Sequence, residues 1–364
     1  MKALIGMSGG VDSSVAALLM QQAGFECIGA TMRLYAGQVE APNGAKTCCS
    51  LDDVEDARSV ARRMGIPHYV FNFTEEFYAD VIDKFVDTYY SGGTPNPCID
   101  CNRYLKFGKL LQRARELGCG CVVSGHYAKV ERDGKTGRFL LKRAADRAKD
   151  QTYFLACLTQ EQLSMVHFPL GELTKEQVRR IAGENGFVTA RKHDSQDICF
   201  VPGGDYTAFL EKYTGKKLTP GDYLDQNGCP VGRHRGAVCY TIGQRKGLRL
   251  ALGAPVYVCG KDMAANTVTV GPNEALFSSS LLADGWVWYP FEALTEPMRV
   301  TAKIRHSQYD RPATVFPEAD GRARVVFDEP QRAISPGQAV VLYSGDTVVG
   351  GGTIIRAGAE SPTI

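Results

Sequence analysis

From residue 1 to about 200, short apolar runs alternate with segments whose apolar positions recur every three or four residues. Ala3 to Met7 reads as a buried strand, and Asp12 to Gln22 as a helix closed by Gly24. Cys27 to Leu34 predicts a second strand. Asp52 to Met64 predicts an amphipathic helix stopped by Gly65, and His68 to Phe73 a third strand. Leu105 to Leu117 predicts a helix before Gly118, and Cys121 to Ser124 a strand. Leu173 to Asn185 predicts another helix, with Thr174 and Gln177 spaced as a capping box. Strands alternating with helices imply βαβ units, hence an α/β fold with a doubly wound parallel sheet. Ligands of such sheets bind at the carboxyl ends of the strands. After about residue 205 the texture changes. Ala254 to Cys259, Thr267 to Val270, Arg322 to Phe327 and Ala339 to Leu342 are β-rich runs separated by Gly, Pro, Asn and Asp. This pattern predicts a nucleotide-binding domain over 1–204, a small middle domain over 205–272 and an all-β barrel over 273–364.

The length of 364 residues agrees with two or three domains. No apolar run reaches the roughly 18 residues of a membrane span. The first strand leads straight into a motif, so the expectation is a cytoplasmic protein without a signal peptide. A formal net charge of only +2 means that any nucleic-acid contact must use local basic patches. Twelve cysteines are many for a reducing compartment and suggest sulfur chemistry or metal rather than structural disulfides. Cys27, Cys119, Cys121, Cys157, Cys239 and Cys259 read as small buried hydrophobes.

Between the first strand and the first helix stands Ser8-Gly9-Gly10-Val11-Asp12-Ser13. The glycines permit a tight turn and close approach of backbone to a ligand. The N–H groups that follow, with the helix N-terminus, favour an anion. Asp12 is placed to hold Mg²⁺ against a phosphate. The plainer reading is a serine- and glycine-rich turn with Asp12 as a cap. The stretch resembles the phosphate loop of the N-type ATP pyrophosphatases, which cleave ATP to AMP and pyrophosphate while adenylating a substrate oxygen. That loop implies a chemistry and leaves the substrate open.

Further motifs narrow the choice. Thr94-Pro95-Asn96-Pro97-Cys98-Ile99-Asp100-Cys101-Asn102 precedes Lys106-Phe107-Gly108; later come Ser124-Gly125-His126-Tyr127-Ala128 and Lys149-Asp150-Gln151-Thr152-Tyr153-Phe154. Ser195-Gln196-Asp197-Ile198-Cys199-Phe200 and Tyr240-Thr241-Ile242-Gly243-Gln244-Arg245-Lys246-Gly247 complete the set. Over nearly the whole chain these resemble the bacterial tRNA-specific 2-thiouridylases. The resemblance implies thiolation of the wobble uridine of Lys, Glu and Gln tRNAs. It implies ATP held by Gly6, Met7, Ser8, Gly9, Gly10, Val11, Asp12 and Ser13, with Met32 and Gly125. Cys199 then carries a persulfide sulfur and Cys101 is its catalytic partner. Asn96, Pro97 and Cys98 meet the target base, while His126, Lys149, Asp150, Gln151, Arg305, His306 and Gln338 touch tRNA. His126 equally reads as a satisfied polar residue at a strand end, and Met32 as core. Arg233, Arg235, Arg245 and Lys246 suit phosphate contacts or a solvated loop face. The partners implied are tRNA and a sulfur donor, either a cysteine desulfurase or a sulfur-relay protein.

Such chemistry needs these residue types. The C2 oxygen of uridine leaves badly, and adenylation turns it into a phosphate leaving group. A persulfide on Cys199 attacks C2, and a Cys101 thiolate closes a transient Cys101–Cys199 disulfide. One position departs from the family pattern. Three residues before the partner cysteine, where Asp is usual, stands Cys98. Cys98, Cys101 and Cys199 offer three ligands for an iron–sulfur cluster, the alternative to a persulfide. Cys98 and Cys101 also read as a redox pair, or Cys98 as lining of the base pocket. Cys48-Cys49 stays unassigned. A ligase of the GMP synthetase kind uses the same loop but needs neither Cys101 nor Cys199. A non-catalytic RNA-binding or redox-sensing protein needs no ATP turnover.

Overall fold

A computed structural model describes residues 1–35, 51–192 and 198–358. Seven strands lie among the described residues of the first domain: β1 (Lys2–Gly6), β2 (Glu26–Arg33), β3 (His68–Asn72), β4 (Cys121–Val123), β5 (Lys129–Arg132), β6 (Phe139–Lys142) and β7 (Val166–His167). Five of them pair in parallel in the order β3-β2-β1-β4-β7. Ala3, Leu4 and Ile5 of β1 are fully buried, as a strand covered on both faces requires. Helix α1 (Val11–Gln22) is buried on most sides, whereas α2 (Leu51–Met64) buries Val54, Ala57, Val60 and Ala61. Asp52 and Asp53 in the first turn of α2, with Arg62 and Arg63 in its last, complement the helix dipole. Gly65 ends α2 at φ +66°, the left-handed conformation of a helix stop.

The helix expected from Leu105 begins earlier. It runs from Pro97, turns π-helical over Cys101–Lys109 and finishes as an α-helix over Leu110–Glu116. Pro97 occupies the first turn, where its missing N–H is tolerated. The apolar period becomes regular only later in the segment.

The middle domain opens with the helix Tyr206–Thr214, capped by Asp205. Strands β8 (Gly221–Leu224), β9 (Pro230–His234), β10 (Tyr257–Asp262) and β11 (Thr267–Gly271) follow in the order β10-β11-β8-β9. The last domain holds β12 (Phe277–Trp288), β13 (Met298–Lys303), β14 (Arg311–Pro317), β15 (Ala323–Arg332), β16 (Ala339–Ser344) and β17 (Thr347–Ala357). Pairing of β12 with β17 closes these strands into an antiparallel barrel, around Leu281, Val315, Val325 and Leu342. The β5–β6 hairpin of the first domain extends the barrel sheet, through Lys142 opposite Thr347. Arg138 fastens it further, donating to the carbonyls of Tyr289 and Trp288 at 2.7 and 3.0 Å. Among the described residues, no helix is long and apolar enough to cross a membrane.

Candidate active site

The turn from β1 into α1 is fixed by its own side chains. The Ser8 N–H donates to Ser13 Oγ at 3.2 Å, and Ser13 Oγ donates to the Gly10 carbonyl at 3.1 Å. Gly9 sits at φ +70°, and a Cβ there would lie 2.2 Å from the Asp53 carbonyl oxygen. Only glycine meets both conditions. Gly125, just beyond β4, packs so closely that its Cβ would lie 2.7 Å from the Ser13 nitrogen.

A cavity of about 180 Å³ opens at the carboxyl ends of β1, β2 and β4. It brings together Ser8, Asp12 and Ser13 of the loop, Met32 of β2 and Gly125, all expected as nucleotide contacts. Lys106 and Phe107 reach it from the helical segment that begins at Pro97, and Gln151 from the far side.

Among the described residues, Asp12 is the one carboxylate in the cavity wall, and its partners come from distant sequence. Lys175 Nζ lies 2.8 Å from both of its oxygens, and the Tyr127 hydroxyl donates to Oδ1 at 2.8 Å. Gln151 braces that tyrosine by accepting the Tyr127 N–H at 2.9 Å. Lys175 is the first residue of the helix Lys175–Glu184, whose capping box by Thr174 and Gln177 forms as expected. The box is legible in the local sequence, whereas the role of Lys175 is not, because its partner lies 163 residues away. Nor is the role of Lys192. Its ammonium donates to the Gly9 carbonyl at 2.9 Å and to Asp53 and Asp56 at 2.6 and 2.7 Å. Burial works against that charge, but the two carboxylates prevail and raise its pKa.

His126, expected at the RNA, is 8% exposed in the wall of the cavity. Its Nδ1 lies 2.6 Å from Ser124 Oγ. Burial, with Lys106 nearby, pushes its pKa well below the usual imidazole range. Asp150 is buried as well, its oxygens accepting from the Ala144 N–H at 3.0 Å and the Thr152 hydroxyl at 2.6 Å. Its neighbour Lys149 donates its backbone N–H to the Asp146 carbonyl at 3.1 Å. Arg305 donates to the Ala333 carbonyl at 2.8 Å and to Ser335 Oγ at 3.0 Å. His306 is exposed and lies 4.4 Å, ring to ring, from Phe154.

Gln338 of the barrel donates to the carbonyls of Thr94 and Pro95, each at 3.1 Å, and Thr94 N–H donates to Pro336 at 2.7 Å. The segment carrying Asn96, Pro97, Cys98 and Cys101 is thus seated on the barrel. A second cavity, of about 330 Å³, lies between that segment and the barrel and is lined by Asn96, Asp100, Arg103 and Tyr153. Cys98 is exposed, Cys101 is buried, and Cys199 is half-buried. Cys101 belongs to the same apolar cluster that Cys199 packs against. Among the described residues, no three His, Cys, Asp or Glu side chains gather to hold a metal. Ser195, Gln196, Asp197 and the Cys48-Cys49 pair lie outside the described residues.

Three family models match in succession. A tRNA methyl transferase HUP domain covers residues 1–203, a tRNA methyl transferase PRC-barrel domain 207–272 and an aminomethyltransferase beta-barrel domain 278–354. The tRNA-specific 2-thiouridylase MnmA of Clostridioides difficile (strain 630) is 49% identical over 358 residues, covering 98% of both chains. That of Acetivibrio thermocellus is 49% identical over 97% of this chain and 99% of its own. That of Heliobacterium modesticaldum is 50% identical over 97% and 92%. A solved 4-thiouridine synthetase–RNA complex with bound ATP shares 18% identity over 58% of this chain and 50% of its own at a TM-score of 0.35, too remote to carry function. With about half of all positions identical from end to end, this chain belongs to the tRNA-specific 2-thiouridylase family.

Proposed function

We propose that this enzyme replaces the C2 oxygen of a tRNA wobble uridine with sulfur, and that it activates that oxygen by adenylation from ATP. One observation carries the reading. A single helical segment, Pro97 to Glu116, carries Cys101 near its start and sends Lys106 and Phe107 into the nucleotide cavity. That shared segment supports a reading in which nucleotide activation is coupled to thiol chemistry.

The loop N–H groups and Ser13 would bind the phosphates of ATP. A Mg²⁺ ion entering with ATP would meet the Asp12 carboxylate in the cavity wall, where Lys175 already faces both of its oxygens, so ion and ammonium would share that carboxylate. Such an ion supplies charge neutralisation at the phosphates. Lys175 supplies a second positive charge beside Asp12. The uridine oxygen attacks the α-phosphorus and pyrophosphate leaves. The terminal sulfur of a Cys199 persulfide then adds to C2, and AMP departs with the old oxygen. The Cys101 thiolate attacks Cys199 Sγ and breaks the persulfide S–S bond, leaving the sulfur on the base. A cysteine desulfurase or relay protein recharges Cys199. The preference for Lys, Glu and Gln tRNAs rests on the resemblance, as does the base-binding role of Asn96, Pro97 and Cys98.

The test is AMP release from labelled ATP with and without tRNA. We expect tRNA-dependent AMP in the wild type and little in Asp12→Asn. Equal AMP release by a folded Asp12→Asn enzyme would remove the adenylation reading.

A further inference from the structure

We infer that Cys98 resolves the Cys101–Cys199 disulfide that each turnover leaves, making Cys98 and Cys101 a working redox pair. The inference rests on the sulfur-transfer reading above and extends it to how the enzyme is reset. That reading oxidises two thiols per thiolated base, so two electrons must return before the next cycle. The burial pattern shows where they can enter. Cys101 is 8% exposed and Cys199 half-buried, while Cys98 lies in the open one helical turn before Cys101. A reductant in solution meets Cys98 first.

Geometry allows the exchange. Residues three apart on a helix share a face, with Cβ atoms roughly 5–6 Å apart. A disulfide needs about 3.5–4.5 Å, so the pair closes by a small local shift. The hydrogen-bond ladder already changes from α to π at Cys101, where it is least regular. The turn is also anchored from outside, since Gln338 grips the preceding Thr94 and Pro95. Lys84 lies 3.8 Å from Asp100, and Arg103 follows Cys101 by two residues.

The step balances as a thiol–disulfide exchange. The Cys98 thiolate attacks Cys101 Sγ, the Cys101–Cys199 bond breaks, and Cys199 leaves as a thiolate ready for a new sulfur. The product is a Cys98–Cys101 disulfide at the surface. A dithiol protein of the thioredoxin class attacks Cys98 Sγ, frees the Cys101 thiolate and closes its own disulfide. Two electrons enter the enzyme and the dithiol is oxidised.

The test uses full-length enzyme charged with persulfide, given ATP and tRNA under limiting thioredoxin, quenched with iodoacetamide and mapped by mass spectrometry. We expect a Cys98–Cys101 disulfide in the wild type. In Cys98→Ser, whatever its rate for the first turnover, we expect one thiolated uridine per chain and then arrest, with Cys101–Cys199 trapped. A wild type that accumulates only Cys101–Cys199 would overturn the inference while leaving sulfur transfer intact. So would a Cys98→Ser enzyme that keeps cycling on thioredoxin. Absence of both disulfides, or thiolation by Cys199→Ser, would overturn the sulfur-transfer reading itself.

Discussion

Lys175 and Asp12 are 163 residues apart in sequence and 2.8 Å apart in space, the ammonium facing both carboxylate oxygens. Their side chains are 11% and 30% exposed, so the pair is only partly screened by water. Without Lys175, the loop would meet the incoming phosphates with one positive charge fewer beside Asp12. Lys175→Met should lower AMP formation by about 10²–10³, the cost of losing one charge-stabilising group. Lys175→Arg should recover part of it. Unchanged AMP formation in a folded Lys175→Met enzyme contradicts this role.

Gly9→Ala tests the loop itself. Alanine at φ +70° costs about 1–2 kcal/mol, and its Cβ would press on the Asp53 carbonyl. We expect a lower Tm together with weakened ATP binding, read by thermal denaturation with and without nucleotide. Normal nucleotide affinity would mean the loop tolerates a displacement that this packing forbids.

Cys101→Ala and Cys199→Ala should each abolish thiolation while leaving ATP bound, since neither cysteine lines the nucleotide cavity. Alkylation of the charged wild type should label a persulfide on Cys199. Thiolation retained by either variant contradicts its role.

The expected RNA contacts divide on structural grounds. Arg233 is 68% exposed at its side chain, with Asp222 at 3.2 Å, and is available to a phosphate. Arg305 is occupied by the Ala333 carbonyl and Ser335. Arg233→Ala should flatten the slope of log tRNA affinity against log salt by about one. Arg305→Ala should instead lower Tm. The opposite pattern would place the RNA on the Arg305 side.

Lys261 on β10 gives a pH signature. Its Nζ is buried without a hydrogen-bond partner among the described residues, and burial lowers its pKa to about 8. The unfolded chain, near 10.5, holds that proton more tightly. Stability therefore rises as pH climbs from about 8 toward 10.5, on the order of 1–3 kcal/mol at most. Lys261→Met should raise Tm at pH 7 and remove that rise. A destabilised Met variant would show that the ammonium has a partner in solution.

What could be read from sequence was local. The strand–loop–helix around Ser8 to Ser13, the stop at Gly65 and the Thr174–Gln177 box depend on spacing within a few residues, and each formed. The helical start at Pro97 escaped because its first α-helical turn is only four residues long and a π-helical stretch, Cys101–Lys109, follows it, which departs from the α period. The β5–β6 hairpin escaped for another reason: its role is set by Thr347, far along the chain. Lys175 and Lys192 look like ordinary surface lysines until the fold brings them to Asp12 and Gly9. Asp150 shows the reverse, a charged residue in a polar motif whose oxygens the backbone and Thr152 occupy.

Mass spectrometry of tRNA nucleosides reads the product of the reaction itself. The purified protein is incubated with unmodified tRNA, ATP and a persulfide donor, and the tRNA is digested. The account predicts 2-thiouridine at the wobble position, one AMP per thiolated base and no product when ATP is omitted. A methylated nucleoside, or thiolation that proceeds without ATP, would contradict it.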